Sequence, residues 1–205
     1  MKLKLLNDKT VAIVGCGGLG TNVAVHMVCM GIGTIKLYDF DTVNKSNLDR
    51  QFMFSVSDCG KMKTAVLGSR LKEISPECKI ECFNEKVNLQ THFDADIVFS
   101  CVDNGETRAV LNSYCRKNMN PLINGGIDSS VGIVYAYIPG KTADLQKAGL
   151  LNDIKSPVSI SSTVGITGAL MTEECVKILS GDMSDAGMLI VYENAEISKM
   201  LINKP

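Results

Sequence analysis

"TVAIVGCGGLG", residues 10–20, decides the fold. Five residues rich in β-branched side chains run into a glycine turn. "TNVAVHMVCMGIG" then follows with apolar residues spaced for one face of a helix. Gly15, Gly17 and Gly20 fit G-x-G-x-x-G between a strand and a helix. Such a turn lets backbone approach a phosphate, and the helix N-terminus then faces the anion. The motif alone serves NAD, FAD or ATP alike.

Outward from that turn the alternation continues. Gly31 and Gly33 stop the helix, and "TIKLYDFD" is a second strand with its acids at the carboxyl end. "KMKTAVLGSRLKEIS" reads as a helix closed by Pro76, with "KIECFNEKV" and "ADIVFSCVDN" as the next two strands. "GETRAVLNSYCRKNM" is helical and "PLINGGI" extended. "GIVYAYIPG" is a strand at which the sheet is expected to become mixed. "TVGITGALMTEECVKILSG" is a long helix stopped at Gly181, and "GMLIVYENAEISKMLIN" a closing pair of strands. The prediction is one α/β domain over residues 1–205. Its architecture is Rossmann-like: a doubly wound, mostly parallel sheet with an antiparallel C-terminal extension. Residues 141–160, "KTADLQKAGLLNDIKSPVSI", are weakly patterned and are expected to form a mobile crossover loop.

Composition removes several function classes. The 205 residues are 45% apolar and 21% charged with a net charge of −1, which argues for no nucleic-acid or anionic-membrane partner. No apolar run is long enough to span a bilayer, and "MKLKLLNDKT" lacks the apolar core of a signal peptide, so a cytoplasmic location is expected. Eight cysteines exceed what a domain of this size needs as staples. Cys16, Cys29 and Cys101 lie in apolar patterns, and Cys78 and Cys82 have no second pair to complete a zinc site. His26 and His92 read as structural or surface residues, and no zinc is predicted.

The chemistry lies further along. Asp39 ends the second strand, where a ribose-binding acid belongs, and to that point a nicotinamide enzyme stays open. Arg50 is a permanent forked cation, and Lys63 adds a point charge at the start of the next helix. Asp103, at the carboxyl end of a strand, can offer hard oxygen to Mg²⁺. Each residue has a plainer reading. Lys63 can be a solvated helix residue, Asp103 a cap for the helix near Gly105, and Arg50 a surface partner of Asp49 or Asp58. Together they describe a triphosphate and its metal better than a dinucleotide.

"GCGGLG", "DFDTVNKSNLDRQF", "GKMKTA", "CVDN" and "PLINGGI" resemble, in this order, the adenylation domain of ubiquitin-activating enzymes and their ThiF/MoeB/HesA adenylyltransferase relatives. The resemblance runs from Val11 to about Tyr192. It implies an ATP- and Mg²⁺-dependent nucleotidyltransferase that converts the C-terminal carboxylate of a small ubiquitin-like protein to an acyl-adenylate, releasing pyrophosphate. The implied partners are sulfur carriers of the ThiS or MoaD type ending in Gly-Gly, which serve thiamine or molybdopterin synthesis; a ribosomal peptide or small carboxylate is the alternative acceptor, and a non-catalytic scaffold the alternative role. By the same resemblance Gly15, Gly17, Gly18 and Gly20 form the glycine loop and Asp39 binds the ribose. Asn47, Arg50, Gln51 and Lys63 hold the phosphates. Asp103 takes Mg²⁺, with Asp41 as a second acid, and Arg50, Lys63 and Asp103 are the catalytic group. The family's pairing habit implies a homodimer.

The chain departs from its relatives in three places. It lacks the two C-x-x-C zinc pairs, and "GKTADLQKAG" stands where the first would be. Its crossover stretch "LLNDIKSPVSISS" has no cysteine for a thioester or persulfide, and Cys175 reads as helix core. No arginine precedes Arg50 to reach across a dimer interface. Adenylation is therefore expected without covalent sulfur chemistry on this chain.

Overall fold

The computed structural model describes residues 3–153 and 159–202. Five parallel strands form its first half: β1 (Thr10–Val14), β2 (Thr34–Tyr38), β3 (Lys79–Phe83), β4 (Ile97–Ser100) and β5 (Leu122–Asp128). Three antiparallel strands extend the sheet: β6 (Val131–Tyr137), β7 (Met188–Glu193) and β8 (Glu196–Leu201). The order is β3-β2-β1-β4-β5-β6-β7-β8. The expected doubly wound sheet with an antiparallel extension is what forms, and it turns antiparallel at β6 as the sequence predicts.

The helices are α1 (Gly18–Met30), α2 (Lys63–Ile74), α3 (Gly105–Asn118) and α4 (Ser161–Ser180). α1, α2 and α4 share one core with Ile13, Leu37, Phe99 and Ile123 of the sheet. Leu111 and Cys115 of α3 cover the other face, against Val14, Val98, Leu122 and Tyr135. Alternate residues of each buried parallel strand supply the two cores, so these strands read as continuous apolar runs. Gly31 and Gly181 terminate α1 and α4 with left-handed backbone, φ 93° and 85°. α4 lies along α1 so closely that a Cβ at Gly168 would stand 2.6 Å from the Asn22 Cβ. Asn194 and Ala195, both at positive φ, turn β7 into β8.

Strand order reverses between β1 and β4, so the connections leaving their carboxyl ends, to α1 and α3, diverge to opposite faces of the sheet and open a crevice there. The weakly patterned segment begins with packed side chains: Ala143 and Leu145 are buried, and the Tyr135 hydroxyl donates to the Ala143 carbonyl at 2.7 Å. Residues 154–158 of that stretch lie outside the described residues. Among the described residues no helix is long and apolar enough to cross a membrane.

Candidate active site

A cleft of about 340 Å³ opens at the switch point. β1 delivers the glycine turn. Gly15 adopts φ +92°, and a Cβ there would lie 2.6 Å from the Cys101 carbonyl oxygen, so the β1 and β4 tips meet backbone to backbone. Gly17 and Gly18 line the cleft, and the N-terminus of α1 opens into it. Gly20, grouped with them on sequence, is placed elsewhere. A Cβ on it would fall 1.8 Å from the Gly15 carbonyl oxygen, so its place is the close crossing of α1 over β1 rather than the cleft wall.

Asp39 follows β2 and is buried, and each of its carboxylate oxygens accepts one backbone hydrogen bond. One oxygen accepts from the Cys16 backbone N–H at 2.6 Å and the other from the Asp41 N–H at 2.8 Å. Burial pushes its pKa above the ordinary carboxylate value, and the hydrogen bond from the Asp41 N–H, the Lys63 charge and the Cys16 N–H pull against that. The two backbone bonds fix the acid relative to the glycine loop and leave acceptor capacity on a residue that lines the cleft.

The chain between Asp39 and Lys63 forms a closed loop. Val43 N–H donates to the Lys61 carbonyl at 2.9 Å and Lys63 N–H to the Asp41 carbonyl at 3.1 Å, which clasps its two ends. Inside it, Asn44 caps a short 3-10 turn, Lys45–Asn47, and the Asn47 carbonyl accepts from the N–H groups of Arg50 and Gln51. Asn47, Arg50 and Gln51 are thereby presented together on the cleft wall. Gln51 is buried, its Oε1 has no donor among the described residues, and its Nε2 abuts Gly17. Arg50 pairs with Asp49 at 2.8 Å, the plainer reading, while still lining the cleft; Asp58 is held by Arg70 and Lys61 instead.

Lys63 is not a solvated helix residue. It is buried at the start of α2 and meets Asp41 Oδ2 at 3.0 Å, both side chains lining the cleft. Asp103 is not the helix cap either. Asn104 caps α3, its Oδ1 accepting from the Thr107 N–H at 2.9 Å, which leaves Asp103 exposed at the β4 exit on the cleft. Gly15, Gly17, Gly18, Asp39, Asp41, Asn47, Arg50, Gln51, Lys63 and Asp103 therefore converge on one cleft, while Gly20 lies outside its lining.

The sequence did not single out Lys86, Asn104, Thr107 or Ser159, all on the cleft wall, nor the buried Arg108, which bonds the Val102 carbonyl. No group of three or more metal-ligating side chains occurs among the described residues. Asp103 and Asp41 supply one or two hard oxygens, the donor set that suits Mg²⁺ when nucleotide phosphates and water complete its shell. Cys101 also lines the cleft, but burial pushes its thiol far up, away from the reactive thiolate. Cys175 is core, and the cysteines are not joined in disulfides.

Three comparisons bear on this site. The ThiF family model matches residues 2–203. The chain is 31% identical over 201 residues to the sulfur carrier protein ThiS adenylyltransferase of Escherichia coli (strain K12), covering 93% of this chain and 79% of that protein. It is 28% identical over 204 residues to adenylyltransferase and sulfurtransferase MOCS3 of Drosophila willistoni, and 31% identical over 212 residues to ubiquitin-like modifier-activating enzyme 5 of Drosophila erecta. These alignments cover 92% and 88% of this chain but only 44% and 52% of those proteins, so the chain spans about half their length. Among solved structures, E. coli MccB with ATP matches with a TM-score of 0.87 at 27% identity, over 98% of this chain and 65% of that one. The MccB complex with N-formylated MccA gives 0.88 at 26% identity.

Proposed function

The chain belongs to the ThiF family, and from that premise we propose that it is an ATP-dependent adenylyltransferase activating the C-terminal carboxylate of a ubiquitin-like sulfur-carrier protein. One observation carries the reading: two cations, Arg50 and Lys63, share a single cleft with a glycine loop, a pinned acid at Asp39 and a strand-end acid at Asp103. A dinucleotide's diphosphate would leave much of that charge unused, whereas a triphosphate uses all of it.

In this reading Asp39 accepts from the ribose hydroxyls. The Gly15–Gly18 turn lets phosphate approach backbone, and Asn47, Arg50, Gln51 and Lys63 bind phosphate oxygens. An acceptor carboxylate oxygen attacks the α-phosphorus, the bond to the bridging oxygen of the β-phosphate breaks, and pyrophosphate leaves with the displaced electron pair. Lys63 and Arg50 neutralise charge that builds on the phosphates, so positioning and electrostatics do most of the work. Asp103, joined by Asp41, would hold Mg²⁺, which draws charge from the phosphate oxygens. No covalent intermediate on this chain is invoked. Homodimer formation and a cytoplasmic location belong to the same proposal.

A peptide acceptor is the second reading, favoured by the match to MccB, crystallised with N-formylated MccA, over 98% of this chain. ATP–pyrophosphate exchange separates the two. Exchange that requires a Gly-Gly-ending ThiS- or MoaD-type protein supports the first, and exchange on peptides alone supports the second. Arg50→Ala should lower exchange roughly 10²-fold by removing one preorganised charge. Tight NAD binding with no response to ATP would sink both.

A further inference from the structure

The first part of the crossover segment is fastened to the strand tip that carries Asp103, and one buried side chain makes the fastening. Arg108 of α3 is 1% exposed. Its Nη2 donates to the Val102 carbonyl at 2.6 Å, and its Nη1 donates to the carbonyl of Asn152. Burial disfavours the guanidinium charge, while the nearby carboxylates of Asp103 and Asp153 favour it. Beside it, the Gly105 N–H donates to Asp153 Oδ1 at 2.6 Å. A Cβ at Gly105 would stand 2.1 Å from the Leu151 carbonyl oxygen, so residues 151–153 lie directly against the first turn of α3.

Burying a guanidinium is costly, and Nε of Arg108 has no acceptor among the described residues. A side chain that only filled this space could be apolar. What an arginine adds is a planar fork able to bond two carbonyls from two segments at once. Those carbonyls are not arbitrary. Val102 immediately precedes Asp103, and Asn104, immediately after it, is pinned as the cap of α3. Asp103 thus has both neighbours held, and one of the two holds runs through Arg108 to Asn152.

We propose that Arg108 is a positioning residue, joining residues 151–153 to the Asp103 tip as one unit, so that the aim of the metal-holding acid depends on where the crossover segment sits. This rests on the adenylation reading above. A displacement of residues 151–153 pulls on Arg108, shifts Val102 and turns Asp103, without any contact between the segment and the nucleotide.

The test uses the full chain, with Arg108→Lys, which keeps the charge but cannot fork to both carbonyls, and Asp153→Ala on an exposed residue that folding can spare. Amide exchange at Gly105 and residues 151–153 is followed without metal or nucleotide. Binding of the non-hydrolysable analogue AMPCPP is titrated calorimetrically with Mg²⁺ and again in EDTA. Both variants should speed exchange at Gly105 by about tenfold, the loss of one hydrogen bond. Both should weaken the Mg²⁺-supported affinity by about 10- to 100-fold, the usual cost of losing a metal ligand's support. Affinity in EDTA should stay within about twofold. Unchanged exchange, faster exchange with intact Mg²⁺-supported affinity, or an equal loss with and without Mg²⁺ would each overturn the proposal. If Arg108→Lys does not fold, Asp153→Ala decides alone. A wild-type protein that binds no nucleotide refutes the adenylation reading rather than the tether, which the exchange data report independently.

Discussion

At the cleft, Lys63 meets one oxygen of Asp41, whose side chain stays about half exposed (52%). At the far end of the sheet, Asp185 is almost enclosed: Lys199 of β8 reaches both of its oxygens at 2.7 and 2.8 Å, and Lys177 of α4 reaches one of them and Glu174 as well. The same residue types are wired to different ends. The Asp185 carboxyl is held down to about 2, by hydrogen bonds from Lys177 and then Lys199, and its oxygens are taken. Of the cleft cations, Lys63 and Arg50 each have one carboxylate partner, Asp41 and Asp49, and those partners face solvent. The Asp185 cluster is saturated, whereas the cleft pairs are balanced but left exchangeable. Under the proposed function a nucleotide phosphate takes each cation and the metal takes the Asp41 carboxylate that Lys63 releases, so neither cation stands uncompensated before binding.

The comparison breaks first at Lys63. Lys63→Ala should cut pyrophosphate exchange by roughly 10²- to 10³-fold, with the melting temperature lowered by no more than about 2 °C. A large thermal loss with activity retained would mean that this pair is structural like the other. The reverse holds for Lys177→Ala, which leaves Glu174 buried with no cation and frees one Asp185 contact. Partial exposure of Lys177 tempers the loss to about 2 kcal/mol, lowering the melting temperature by about 4–8 °C. Nucleotide affinity should not move, and a parallel fall in affinity would show that the two ends of the sheet are not independent. The smallest effect is at Asp49. Asp49→Asn removes the competitor for Arg50 in an exposed pair, so affinity for ATP should rise by up to about fivefold at low salt. The gain should fade as salt screens it; an equal or lower affinity at low salt would mean that Asp49 orients Arg50 rather than competing with it.

Much of this site was legible because its ligands are local. The glycine turn, Asp39, Lys63 and Asp103 each sit just past the carboxyl end of a strand or at the start of a helix, positions that periodicity and glycine stops mark directly, while Arg50 lies in the loop between β2 and α2 and stands out by its charge. Lys63 and Asp103 illustrate the limit. Sequence left each with a plainer reading, and only three-dimensional burial and the neighbouring Asn104 cap removed them. Gly20 was grouped with the phosphate loop because the motif does so, although helix–strand packing accounts for it. Arg108 was invisible for a different reason. In "GETRAVLNSYCRKN" it looks like any polar helix residue, and its partner Asn152 is far along the chain in a segment without periodicity. The same holds for Asn112, which accepts from the Leu145 N–H at 2.9 Å. Backbone hydrogen bonds to irregular segments leave no pattern to read.

The lie of α4 against α1 has a consequence for the order in which this protein comes into being. Every residue assigned to the nucleotide lies between Gly15 and Asp103, whereas the helix that covers α1 begins at Ser161. On the ribosome all of those ligands therefore emerge while Val23 and Met27 of α1 still lack part of their cover. Contacts between segments so far apart in sequence are slow to close, and uncovered apolar faces are where partly made chains stick to one another. A nascent chain stalled just after β5 would own every proposed nucleotide ligand and still be a candidate for chaperones rather than for ATP.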